Sequence, residues 1–180
     1  MKNFRLNRTA AVLCVAIGTA LMSSAPAYAA GTATSNLAVN ASVASNCTIT
    51  TAAVAFGAYD PIVTNAATAL TGTGSITIAC TKASVPTLKL DLGANAAGAV
   101  RQMASGAERL PYELYQPLTN VAGAGCASGT VWGTAAANTL TTVAAPSKAA
   151  RTYNVCGSIP GGADVAVGAY ADTVVATVTF

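Results

Sequence analysis

The feature that most constrains this chain is an apolar alternation of period two, repeated in short runs that glycine and proline interrupt. Pro86-Thr87-Leu88-Lys89-Leu90-Asp91-Leu92 shows it plainly, with three leucines in one phase and Thr, Lys and Asp in the other. Successive side chains of a strand point to opposite faces, so such a run is a strand with one buried side. Ser75 to Cys80 alternates after Gly72-Thr73-Gly74, and Leu110, Tyr112 and Leu114 share a phase. Cys47 to Phe56 reads as extended up to the turn signal Gly57-Ala58-Tyr59-Asp60-Pro61. Gly129 to Gly133, Thr139 to Val143 and Arg151 to Cys156 are shorter candidates. The closing run, Asp172 to Phe180, puts Val174, Ala176, Val178 and Phe180 on one stripe. About eight short strands without a sustained 3.6-residue period predict an all-β, antiparallel sandwich. The alanine-rich loops run against that expectation, and Ala94 to Ala107 has the composition for a helical turn.

One more alternating stretch precedes these. In Asn36 to Ala44, Leu37, Val39, Ala41 and Val43 share one phase while Ala38, Asn40 and Ser42 take the other. By periodicity alone this is an ordinary first strand packed in its own sheet. Its place after a flexible lead and before Cys47 also suits a strand that leaves its own domain to complete a neighbour.

The first 29 residues read as a secretory signal peptide. Lys2, Arg5 and Arg8 form a charged start, Thr9 to Met22 an uncharged, mostly apolar core, and Ala27-Tyr28-Ala29 a cleavage site before Ala30. That core is shorter than the roughly 20 residues of a membrane-spanning helix. Cys14 lies within it and not after it, which argues against lipidation. Removing the leader removes Lys2, Arg5 and Arg8 from nine basic residues, leaving six against six acidic ones. The formal net charge of +3 therefore belongs to the leader. A near-neutral mature chain offers no basic face for nucleic acid.

Of five cysteines, Cys47, Cys80, Cys126 and Cys156 remain in the mature chain. An even number in an exported protein points to disulfides, with three possible connectivities. Cys47–Cys80 and Cys126–Cys156 are the favoured pairs, because each joins neighbours in the strand order above. The chain has no histidine and no CxxC pair, which disfavours a zinc site and removes the base of Ser-His and Cys-His catalysis. Glu108 with Glu113, or Asp60 with Asp91, are the carboxylate pairs to consider for glycosidase chemistry, though scattered acids are more commonly solvated. Gly72-Thr73-Gly74 and Gly123-Ala124-Gly125 lack the rest of a phosphate-binding pattern and read as turns. Tyr112, Tyr115 and Trp132 suit core packing first and a sugar platform second. No catalytic residue, metal or cofactor is expected.

Several motifs together resemble the spore coat protein U domain family, the subunits of archaic chaperone–usher pili and related coats. They are Phe56-Gly57-Ala58-Tyr59-Asp60-Pro61, Ile76-Thr77-Ile78-Ala79-Cys80-Thr81, Leu90-Asp91-Leu92-Gly93, Arg101-Gln102-Met103, Leu110-Pro111-Tyr112-Glu113-Leu114-Tyr115 and Trp132-Gly133. Ile159-Pro160-Gly161 and Gly168-Ala169-Tyr170-Ala171-Asp172-Thr173-Val174 through Phe180 are the most distinctive.

The resemblance implies an incomplete immunoglobulin-like sandwich, completed by donor-strand exchange and serving a surface fibre or coat, with roles in adhesion and biofilm formation. It divides the chain into a signal peptide (1–29), a donor extension (30–46) and a pilin domain (47–180). A periplasmic chaperone lends a strand first; at the outer-membrane usher, the N-terminal strand of the next identical or related subunit replaces it. Leu37, Val39, Ala41 and Val43 would then be the donor side chains. Val174, Ala176, Val178 and Phe180 would form the strand that pairs with the chaperone. Gly93 and Gly168 would serve tight turns. Ala41 is smaller than the family's pattern calls for, implying a shallow pocket or a slipped register. A tip adhesin or carbohydrate-binding module is the alternative.

Overall fold

The computed structural model describes residues 28–180, apart from the side chains of Ala127 and Ser128. The signal-peptide reading therefore lies outside the described residues except for Tyr28 and Ala29, and Cys14 lies outside them altogether. Residues 28–40 carry no secondary structure and are exposed. Residues 41–180 form one compact unit.

Two antiparallel sheets build that unit. The larger contains β1 (Cys47–Ala55), β2 (Leu70–Cys80), β8 (Arg151–Ile159), β5 (Glu108–Pro117) and β4 (Arg101–Ser105) in that order, with β6 (Cys126–Val131) also paired to β5. The smaller runs β7 (Leu140–Thr141), β3 (Thr87–Leu90), β9 (Ala176–Thr179). Among the described residues the helical content is a single 3-10 turn, Ala136–Asn138, and no helix is long and apolar enough to cross a membrane.

The alternation sorts the faces as the sequence predicts. Ile76, Ile78 and Cys80 of β2, Leu110, Tyr112 and Leu114 of β5, and Tyr153, Val155 and Ile159 of β8 are buried against Leu88 and Leu90 of β3. Trp132 is fully buried among them, and its indole N–H donates to the Leu88 carbonyl at 3.1 Å, fastening the chain after β6 to the smaller sheet. Both favoured disulfides form, Cys47–Cys80 at paired positions of β1 and β2, and Cys126–Cys156 between β6 and β8. With sequence separations of 33 and 30, each contributes roughly 3–4 kcal/mol in the chain-entropy picture.

Three sequence expectations change. The Ala94–Ala107 stretch holds β4 and not a helical turn. Alanine's helix preference, a few tenths of a kcal/mol per residue, yields to tertiary pairing of Arg101 with Tyr112 and Met103 with Leu110. Gly72-Thr73-Gly74 is no turn but the interior of β2. Gly72 pairs with Gly157 of β8, and Cβ atoms there would meet β1: one on Gly157 would lie 2.6 Å from Phe56 Cζ, one on Gly74 2.7 Å from the Ala52 carbonyl oxygen. The glycines thus make a floor without side chains, onto which Val54 and Phe56 can turn inward where the β1–β2 register shifts between Ala52 and Ala55.

Gly168 is the third correction. It does not adopt the left-handed conformation; a Cβ there would sit 2.5 Å from Ser105 Oγ, so close packing and not a turn requires glycine. Gly93 does serve a turn, with φ +85°, and a Cβ on it would stand 2.0 Å from Asp172 Oδ2. Gly93→Ala meets both the strain of a positive φ and that clash, and should cost about 2–4 kcal/mol in urea unfolding monitored at Trp132. An unchanged midpoint would show that the loop rearranges freely.

Candidate functional site

The site is an open groove between two strand edges. Among the described residues, strand β9 pairs only with β3, and β1 only with β2, so each leaves one edge without a strand partner. The Asp91 N–H donates to the Val175 carbonyl at 3.1 Å, and Lys89 stands opposite Thr177. Because bonding alternates along an antiparallel strand, the odd-numbered residues of β9 bond to β3. The backbone N–H and C=O groups of Ala176 and Val178 then point to the open edge. The side chains of Val174, Ala176 and Val178 turn inward and pack on the core, and Phe180 is 53% exposed. The strand covers Ala176–Thr179, a shorter span than the Asp172–Phe180 run read from the sequence.

Beside this edge lies a cavity of about 500 Å³ between Thr51–Val54 of β1 and Tyr170–Ala176, with Ile76, Leu90, Leu114 and Val155 beneath. A second cavity, about 770 Å³, continues past Phe56 and is lined by Tyr59, Leu110, Ile159 and Val165–Tyr170. Val54, Phe56, Met103 and Tyr170 line both. Phe56 meets Tyr112 edge to face, with ring centroids 6.3 Å apart. Met103, of the Arg101-Gln102-Met103 motif, lies on β4, in the stretch whose composition suggests a helical turn, so the alternation does not mark this wall. Gly98 and Gly106, both with positive φ, bracket that strand and were the available signal.

Hydrogen bonds tie together the segments that flank the groove. Asp172, on its wall, accepts from the Tyr112 hydroxyl at 2.7 Å and from the Asn95 backbone and side-chain amides at 3.1 and 3.0 Å. Burial first, and then the bond to Asp172, raise the Tyr112 phenol above its ordinary pKa, so it stays a neutral donor. Asp91 accepts from the Gly93 and Val175 N–H groups, both at 2.9 Å, and ties the turn after β3 to the start of the last strand. Behind this turn Arg101 is fully buried. It pairs with Glu113 and donates to the Asp91 carbonyl through Nε (3.0 Å) and Nη2 (2.6 Å), and to the Trp132 carbonyl at 2.6 Å. At the far end, the Tyr59 hydroxyl donates to the Pro160 carbonyl and accepts from the Ala163 N–H, each at 2.8 Å. Asp60 accepts from the Ile62 and Val63 N–H groups, which hold its carboxyl below the usual pKa.

The acids considered for catalysis thus have structural tasks: Asp60 and Asp91 cap turns, Glu113 neutralises Arg101, and Glu108 accepts from the Ala166 N–H at 3.5 Å. Leu37, Val39, Ala41 and Val43 are all exposed in the single chain. The strand itself does not begin until Cys47, and Thr81 holds the chain just before it, its hydroxyl accepting from the Asn46 N–H at 3.1 Å and donating to the Ala44 carbonyl at 3.3 Å.

The fold and groove define an all-β antiparallel sandwich of the kind found in chaperone–usher subunits. A chain in the crystal structure of the CsuC–CsuE chaperone–tip adhesion subunit pre-assembly complex, from archaic chaperone-usher Csu pili of Acinetobacter baumannii, superposes with a TM-score of 0.55 at 21% identity. The match covers 77% of the present chain and spans 40% of that one. Residues 33–177 match the Spore Coat Protein U domain, and the chain belongs to that family. It is 36% identical over 184 residues to Protein U of Myxococcus xanthus, covering 94% of this chain and 97% of that protein.

Proposed function

We propose that this protein is a structural subunit of a secreted surface fibre or coat, polymerised when residues 36–44 of one copy enter the groove of another. The observation that carries this reading is the pairing of two features: an apolar groove flanked by two open strand edges, and an exposed segment with matching alternation. Strand addition draws affinity from main-chain hydrogen bonds, which the open edge of β9 offers, and specificity from alternate side chains in pockets. In this account Val174, Ala176, Val178 and Phe180 form the strand a periplasmic chaperone pairs with first, and an outer-membrane usher exchanges the chaperone for the next subunit. Residues 1–29 direct export, residues 30–46 are the donor extension and residues 47–180 the body, with the product on the cell surface or in an extracellular coat serving adhesion and biofilm formation. The carbohydrate-binding alternative loses most of its aromatic platform, since Trp132 and Tyr112 are buried.

Deleting residues 30–45 and co-producing the remainder with its chaperone tests the account. The expected product is a one-to-one chaperone complex that never elongates. Fibres of normal length from the deleted chain would refute it.

A further inference from the structure

The two cavities of the groove share four lining residues, and the segment read as the donor carries one small residue among its alternating apolar positions. Val54, Phe56, Met103 and Tyr170 line both cavities and therefore stand between them. Phe56 cannot sink further, because it already lies on the glycine floor, its Cζ 2.6 Å from where a Cβ on Gly157 would be. Same-face residues of a strand recur about every 6.6–6.8 Å. Leu37, Val39, Ala41 and Val43 thus present large, large, small, large along the groove.

We infer that Ala41 of the incoming copy sits at the neck formed by Phe56, Met103 and Tyr170, and so sets the register of subunit joining. Val43 then fills the cavity on one side of the neck, and Val39 with Leu37 the cavity on the other. This placement holds for either direction of the entering strand, because Ala41 is flanked by a valine two residues away on each side. The inference rests on the donor-strand reading above and adds to it a size filter. A donor segment with a bulky residue at this position is rejected, so the neck selects which subunits join.

The test uses the full mature chain, with joining followed as the multimer ladder on unboiled denaturing gels. Ala41→Leu should slow joining about ten-fold or more, since inserting a branched side chain at a packed constriction is strongly unfavourable. Val43→Leu, which adds one methylene over open volume, should join like the parent. Met103→Ala removes one side of the neck, and the Ala41→Leu/Met103→Ala chain should regain most of the lost rate. Position 41 is exposed in the unjoined chain, so the body stays folded in the single donor variants. Parent-like joining by Ala41→Leu overturns the register. So does a defect that Met103→Ala fails to relieve while Met103→Ala alone still joins, or an equal defect in Val43→Leu. Val39→Asp separates the two levels: if it abolishes joining while Ala41→Leu does not, the donor reading stands and the register falls. If Val39→Asp joins normally, both fall.

Discussion

Val39→Asp is expected to abolish subunit joining while leaving the folded body intact, and Asn40→Asp, one residue away, is expected to do neither. Val39 shares its phase with Leu37, Ala41 and Val43 and is 87% exposed in the single chain. A carboxylate there costs nothing until the segment enters a groove. It must then lose its water inside the groove, whose two cavities have no lysine or arginine in their lining. An ionised group buried without a partner is disfavoured by several kcal/mol, which lowers the joining constant about a hundred-fold or more. Asn40 lies in the other phase and faces away from the groove in the joined state, so Asn40→Asp keeps its charge hydrated. Electron microscopy of secreted fibres, with thermal melts of both monomers as the folding control, reads the contrast. Equal fibre yields would contradict the proposed facing of the segment, and a lowered melting temperature for Val39→Asp would place Val39 in its own body.

Arg101→Met should be the most damaging single change within the body. Arg101 is fully buried and serves the Asp91 and Trp132 carbonyls and the Glu113 carboxylate together. Methionine fills similar volume but leaves those carbonyls without the guanidinium donors and Glu113 without its cation, with only the Leu114 N–H still donating to it. Removing one member of a buried ion pair costs about 3–5 kcal/mol. For a domain of this size that is a fall in melting temperature of about 10 °C or more, measurable by circular dichroism. The loss should also reach the groove, because the turn that Arg101 holds at Asp91 carries the bonds to Gly93 and Val175. Arg101→Lys should recover little, since one ammonium cannot reproduce the planar fork that reaches Asp91 and Trp132 at once. A melting temperature within two or three degrees of the parent would mean that water or rearrangement replaces the network.

Where one face of a strand is buried, the period-two pattern is a direct record of the fold, and β2, β3, β5 and β9 were legible for that reason. Their inward residues, Ile76 and Ile78, Leu88 and Leu90, Leu110 through Leu114, and Val174 through Val178, are those the alternation singled out. Strand β4 was illegible because its apolar content is low and its one large inward residue besides Met103 is an arginine. Only the carbonyls and carboxylate that converge on Arg101 make its burial possible, and those come from β3, β5 and the chain after β6. The glycines of β2 misled for a related reason. Glycine marks a turn or a close approach of backbone, and choosing between them requires knowing that β1 passes over Gly72 and Gly74.

The sequence by itself determined the sandwich and the inward stripe of the last strand, and it favoured the two disulfide pairs that form, because alternation and cysteine count act locally or between neighbouring strands. The tertiary structure alone decided that β1 and β9 leave their edges open across one groove, and that Phe56, Met103 and Tyr170 line both of its cavities, where the neck is inferred. Those residues are far apart in the chain and meet only when both sheets are packed, so no local pattern could encode the neck.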